Sequence, residues 1–168
     1  MTPPPGALPL ALARAWAWAR AWKNRLVPAR PPMPPLVAAA VLGAGGGLRA
    51  FAPPAVLAAR GQGPFSGTAR LIAFTAAAGE VIADKQPWMP SRWGVPGLSA
   101  RLGFSGRAGR DLAGPAGAVV AALAALGTAR AGSAIRGRLA NGPAAFPAAV
   151  LEDALSYALV VLATRTTR

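Results

Sequence analysis

Leu112-Ala113-Gly114-Pro115-Ala116-Gly117-Ala118-Val119-Val120-Ala121-Ala122-Leu123-Ala124-Ala125-Leu126-Gly127-Thr128-Ala129 runs for 18 residues without a charge. That is close to the ~20 apolar residues a helix needs to cross a hydrocarbon layer. Small residues recur every four positions, at Ala113, Gly117, Ala121, Ala125 and Ala129. On a helix they form one stripe, over which a second backbone can approach closely. The stretch therefore predicts a membrane-crossing helix that packs on a neighbour through Gly117, Ala121 and Ala125.

Three further apolar runs flank it. Leu36–Ala59 carries one charge, Arg49, and passes through Gly43-Ala44-Gly45-Gly46-Gly47. In water each glycine inside a helix costs about 1 kcal/mol against alanine. In a bilayer Gly43 and Gly47 let helices touch, and Pro53-Pro54 kinks or breaks the span. The alternative is a glycine-rich soluble turn between two short helices. Leu71–Ala83 is the next run, and Pro143–Thr164 is the last, apolar except for Glu152-Asp153. Residues 94–110 are too rich in glycine and arginine for a span, although Val95 to Phe104 suits a short interfacial helix.

Composition agrees with the runs. The chain of 168 residues is 54% apolar and 14% charged, where soluble domains carry about 25% charged residues. Much of the apolar content is alanine, which contributes little to membrane insertion. The net charge of +13 invites a nucleic-acid reading. Yet the 16 arginines and two lysines fall mainly between uncharged runs, as they do in loops beside membrane segments. The expected partners are the lipid bilayer and a second copy or another membrane protein, with no specific nucleic acid. There are no cysteines and no histidines, so disulfides, thiolates, Cys/His zinc clusters and histidine bases are excluded. We expect no cofactor and no metal site.

The rare charges are concentrated. Glu80, Asp84, Lys85 and Arg92 lie within 13 residues, among Pro87, Trp88, Pro90 and Trp93, a composition that suits an interfacial turn. Glu80 and Asp84 share a helix face, and two neighbouring carboxylates repel, which raises one pKa or recruits a cation. Lys85 and Arg92 stand close enough to neutralise them, so a plain salt-bridge cluster and a functional site are equally open. Arg49, inside an apolar run, calls for a buried ion pair. Arg49, Glu80, Asp84, Lys85, Arg92, Glu152 and Asp153 are therefore the candidate charge network or pathway.

The series Gly47-Leu48-Arg49-Ala50-Phe51-Ala52-Pro53, Glu80-Val81-Ile82-Ala83-Asp84-Lys85-Gln86-Pro87, Pro90-Ser91-Arg92 and Leu151-Glu152-Asp153-Ala154-Leu155 resembles the bacterial membrane family called domain of unknown function 4126. The resemblance covers about residues 36–164. It departs from the family pattern at Gln86, where an apolar residue is expected, and at Trp93, where a small polar one is common. It implies an integral membrane protein and supplies no established activity.

The chain thus divides into a basic, Trp- and Pro-rich extension over 1–35, interfacial or dispensable, a helical membrane domain over 36–164, and a basic tail over 165–168. The expected fold is an all-α membrane protein of about four transmembrane helices, with Gly/Pro-broken or re-entrant segments near 43–54 and 85–104. Four spans put twelve basic loop residues on one side and five, Arg60, Arg70, Arg130, Arg136 and Arg138, on the other. By the positive-inside rule both termini then face the cytoplasm, in an inner (plasma) membrane. Three functions stay open: a small transporter or channel-like protein using intramembrane carboxylates paired with arginine, a structural or assembly protein packing through its Gly/Ala faces, and a soluble basic nucleic-acid binder. No nucleophile–base set is visible, which leaves an enzyme the least favoured class.

Overall fold

A computed structural model of the chain describes residues 18, 33–65, 67–83, 94–139 and 142–165. The chain forms two compact units, Met1–Pro31 and Pro32–Arg168. In the first only Trp18 is described, as an exposed helical residue. Asp84, Lys85 and Arg92, with the whole turn expected around them, lie outside the described residues.

Every regular element among the described residues is a helix: α1 Pro35–Leu48, α2 Ala52–Ala59, α3 Gly67–Ala83, α4 Val95–Leu139 and α5 Ala145–Arg165. Two of them, α4 and α5, are long and apolar enough to cross a membrane. α1 starts with Pro34 as its N-cap and a proline in its first turn, where no N–H is needed. It ends after 14 residues because Arg49 turns extended, at φ −137° and ψ 115°. α2 follows at once, with Pro53 and Pro54 in its first turn. The expected single span over 36–59 is therefore two helices, and the break falls at Arg49–Phe51. The prolines do not cause it by kinking a continuous helix; they start the second one.

Residues 112–129 depart further from the expected single helix. They lie in α4, but Ala113 (φ −145°, ψ 26°) and Gly114 (φ 65°, ψ −157°) are not helical. Around them the two arms, 95–112 and 115–139, fold back on each other. A Cβ on Gly109 would stand 2.4 Å from the Gly117 carbonyl oxygen, and one on Gly106 would meet Ala118 and Ala122. Along a straight helix Gly109 and Gly117 would be about 12 Å apart. Ala113 thus belongs to the turn, not to the packing stripe. The first arm is helical from Val95 through the whole region expected to be too poor in apolar residues for a span, because its buried face is made of small residues rather than large ones.

Gly114 adopts a φ/ψ combination open essentially to glycine alone. Gly114→Ala is expected to lose about 1–3 kcal/mol, although a methyl there would touch nothing within 4 Å. Thermal unfolding in detergent checks this, with Gly103→Ala, also open in space and at an ordinary helical φ, as the control.

α1 is the central pillar. A Cβ on Gly43 would lie 2.1 Å from the Ala121 oxygen, and one on Gly47 2.2 Å from the Ala125 oxygen, so α1 runs parallel to the second arm of α4. Gly46 faces Ser105 of the first arm, and Gly45 faces Ser156 and Val160 of α5. The glycine run therefore contacts three helices on three sides. α2 returns alongside, packing Ala52, Val56 and Leu57 with Leu42, Ala108, Val160 and Ala163.

The packing is inside-out by the standards of water-soluble proteins. Most of the buried apolar residues are alanines, among them Ala38, Ala39, Ala52, Ala58, Ala121, Ala125 and Ala163. Large side chains such as Leu71, Ile72, Ile82, Val119, Leu123, Phe146 and Leu151 are exposed. In water this would waste the main driving force of folding. Against lipid tails it costs nothing, and small residues inside give close van der Waals packing.

Candidate functional site

The turn Arg49-Ala50-Phe51 leaves two open helix ends inside the bundle: the carbonyls of α1 and the N–H groups of α2. Each needs a partner, because buried backbone groups without one are costly. At the α1 end, Arg101 Nε donates to the Gly47 carbonyl (3.1 Å), while the Gly45 carbonyl, which already takes the Arg49 N–H (3.0 Å), accepts a second bond from the Ser156 hydroxyl (2.8 Å). Thr128 Oγ1 sits 2.9 Å from the Ala44 carbonyl oxygen and 3.0 Å from that of Ala124. At the α2 end, the two oxygens of the Glu80 carboxylate each accept a backbone N–H, from Ala50 and Phe51, both at 2.9 Å. A cation thus meets a helix C-terminus and an anion a helix N-terminus, the arrangement the helix dipole favours.

The charges also pair with one another. Arg49, with no exposed surface, donates from Nε to Asp153 Oδ1, and its Nη2 lies within ion-pair distance of the same oxygen. Arg101 Nη2 lies 3.4 Å from Glu80 Oε1. Arg136 Nε lies 3.3 Å from Glu152 Oε2, where Gly132 lets Glu152 and Leu48 come close. The carboxylates are only 10–16% exposed at their side chains. Tyr157 stands near enough to Glu80, Arg49 and Asp153 to interact electrostatically with all three. The Phe51 and Phe104 rings, 5.0 Å apart between centroids, pack beside the turn.

The fold therefore gathers Arg49, Glu80, Glu152 and Asp153 of the expected network around one helix break. Glu152 and Asp153, adjacent and about 100° apart on α5, take different arginines. Of the expected packing residues, Gly43 meets Ala121, Gly47 meets Ala125, and Gly117 meets Gly109. Two members of the network are additions to the expected set. Arg101 is buried at 4% exposure and touches both the α1 end and Glu80. Its signal is the four-residue series Gly97, Arg101, Ser105, Gly109, which puts it on a helix face of small residues. Arg136, expected as a loop charge, is instead a helical residue paired with Glu152.

The ends of the unit also regroup the basic residues. Arg107 lines a cleft with Pro64 and Phe65, and Arg60 lines another with Arg165. Arg60 and Arg107, expected on opposite sides, lie at one end. Among the described residues no group of three or more acidic side chains is positioned to hold a metal. Comparison with protein-family models, curated proteins and solved structures finds no match for this chain.

Proposed function

We propose that the chain is a multi-pass inner-membrane protein whose charge network is a neutral keystone, and whose role is structural: it presents outward apolar helix faces for assembly. The spans are α3, the two arms of α4 and α5, with α1–α2 as a re-entrant hairpin. The second arm, 115–139, is about 37 Å long and α5 about 31 Å, both sufficient for a ~30 Å core. The end bearing Arg60, Arg70, Arg107, Arg110 and Arg165, where α1 begins and α5 finishes, faces the cytoplasm by the positive-inside rule. Membership of the family called domain of unknown function 4126 is part of this reading. It is supported by the convergence of Arg49, Glu80, Glu152 and Asp153, drawn from motifs far apart in sequence, on one site.

The observation that carries the structural role is the pairing itself. Asp153, Glu80 and Glu152 each meet an arginine from a different part of the chain. Among the described residues such a network fastens helices and matches three carboxylates with three arginines, so that each buried charge has an opposite one beside it. Glu80→Gln should weaken the seal on α2 and leave Arg101 without its carboxylate, lowering stability by about 1–3 kcal/mol. Thermal unfolding in detergent measures that loss. In proteoliposomes, wild type should pass protons and small cations no faster than empty vesicles.

Transport is the second reading, favoured by the broken helix. Two helix ends that meet within a bundle are how many transporters hold ions and charged substrates. A wild-type flux abolished by Glu80→Gln and Glu152→Gln, in proteins that still melt near wild type, would replace the structural reading with this one.

A further inference from the structure

α3 is held in the bundle by a narrow face. α1 buries eight of its 14 residues, whereas α3 buries two of its 17, Ala73 and Ala77, four apart on one side of the helix. Leu71, Ile72, Phe74 and Ile82 are exposed, and the helix packs chiefly on α2. Lipid tails accommodate apolar side chains as well as a neighbouring helix does. Moving α3 away from the bundle therefore sacrifices little beyond the close packing of that face.

The polar hold is concentrated at one end. Glu80, in the last turn of α3, accepts the N–H groups of Ala50 and Phe51, both at 2.9 Å, and lies 3.4 Å from Arg101 Nη2. A carboxylate in the last turn opposes the dipole of its own helix, so Glu80 gives α3 nothing locally. Its gain comes from the groups it reaches across the gap.

At the other end, Gly61 and Gln62 are fixed to α2 by N–H bonds to the carbonyls of Ala58 (3.2 Å) and Leu57 (2.9 Å). Beyond them the chain turns at Gly63 (φ 78°) and enters α3 at Gly67 (φ 35°), where an added Cβ would meet nothing within 4 Å. Glycine takes such angles without strain, and residues at the end of an element absorb the backbone rotation of a hinge.

We propose that α3 is a latched arm: Gly63 and Gly67 are its hinge and the Glu80 carboxylate is its latch. Release swings the Glu80 end outward and uncovers the N–H groups of Ala50 and Phe51 beside Arg101. The low cost of moving the apolar faces of α3 rests on the membrane reading above; the latch geometry does not.

The chain has no cysteine, so pairs of spin-labelled cysteines report distances in the full protein, reconstituted in lipid nanodiscs. Labels go on exposed residues: Ile82→Cys near the latch, Leu71→Cys near the hinge, Leu123→Cys in the second arm of α4 and Leu155→Cys in α5. Wild type at position 80 should give one narrow distribution for each pair. Glu80→Gln should raise the population of a longer Ile82–Leu123 distance about ten-fold or more, the effect of losing charge-assisted hydrogen bonds. The Leu71–Leu123 distance should shift less, and Leu123–Leu155 should stay as it is. Glu80→Asp keeps the charge but is one methylene short of the two N–H groups. It should give the same pattern to a smaller extent, and it decides the matter if Glu80→Gln does not fold. Equal broadening of all three pairs would mean that the whole bundle loosens, and unchanged distances in folded variants would mean that packing alone holds α3. Either result would overturn the latch. Flux in vesicles bears on the structural role alone, so the two readings fail separately.

Discussion

Asp153→Asn is expected to cost about 3–5 kcal/mol, the penalty for removing one partner of a buried ion pair. Arg49 is fully buried, and the change leaves its guanidinium facing an amide that carries no charge. With total stabilities of roughly 5–15 kcal/mol, that loss would bring the helical unit to the edge of unfolding. Size exclusion and thermal unfolding in detergent should both register it. The reverse experiment isolates the pair. Arg49→Met combined with Asp153→Leu removes both charges and keeps apolar volume, and it should recover most of the stability. If the Asp153→Asn variant melted with wild type, Arg49 would be neutralised elsewhere, and the keystone reading would fail. A double variant that folds normally but loses a flux seen in wild type would favour transport.

The second large effect is steric. Gly43→Ala puts a methyl 2.1 Å from the Ala121 carbonyl oxygen, and Gly47→Ala puts one 2.2 Å from that of Ala125. Those neighbours are helix backbone, which cannot swing aside as a side chain can. To relieve the clash, α1 and the second arm of α4 must separate, and both faces lose their close contacts together. We expect each change to destabilise by about 3 kcal/mol, the upper end of overpacking effects. Gly127→Ala sits in the same arm with nothing within 4 Å of the new methyl. There helix propensity alone acts, and it should stabilise by up to about 1 kcal/mol. Opposite signs for one substitution type, measured as Tm in one detergent, separate packing from propensity. If Gly43→Ala were as well tolerated as Gly127→Ala, α1 and α4 would not pack as described.

Much of the fold class lies in the sequence itself. Long uncharged runs with arginines between them mark apolar helices, because hydropathy and charge placement act locally. The small-residue stripes are equally legible: Gly43 and Gly47 on one segment, Gly117, Ala121 and Ala125 on another. Each lies within a single helix, where a four-residue spacing is enough to define a face.

Other features needed three dimensions. The turn at Ala113–Gly114 has a local signal in Gly114-Pro115, but the uncharged length of 112–129 outweighs it. Arg101 is hidden because its segment lacks large apolar residues, and in this molecule the large ones face outward. The break after α1 can be suspected from its glycines, but its position at Arg49–Phe51 depends on Glu80, 29 residues from Phe51 in sequence, capping the N–H groups the break exposes.

The amino-acid sequence alone determined which residues are rare, which long runs are apolar, and which stripes are small enough to pack, since these follow from composition and a 3.6-residue period. Only the tertiary structure decided which face meets which, and which carboxylate each arginine takes. Pairings such as Arg49 with Asp153, 104 residues apart, are selected by the joint cost of burying charge and leaving helix ends open, a cost that exists only once the helices are assembled.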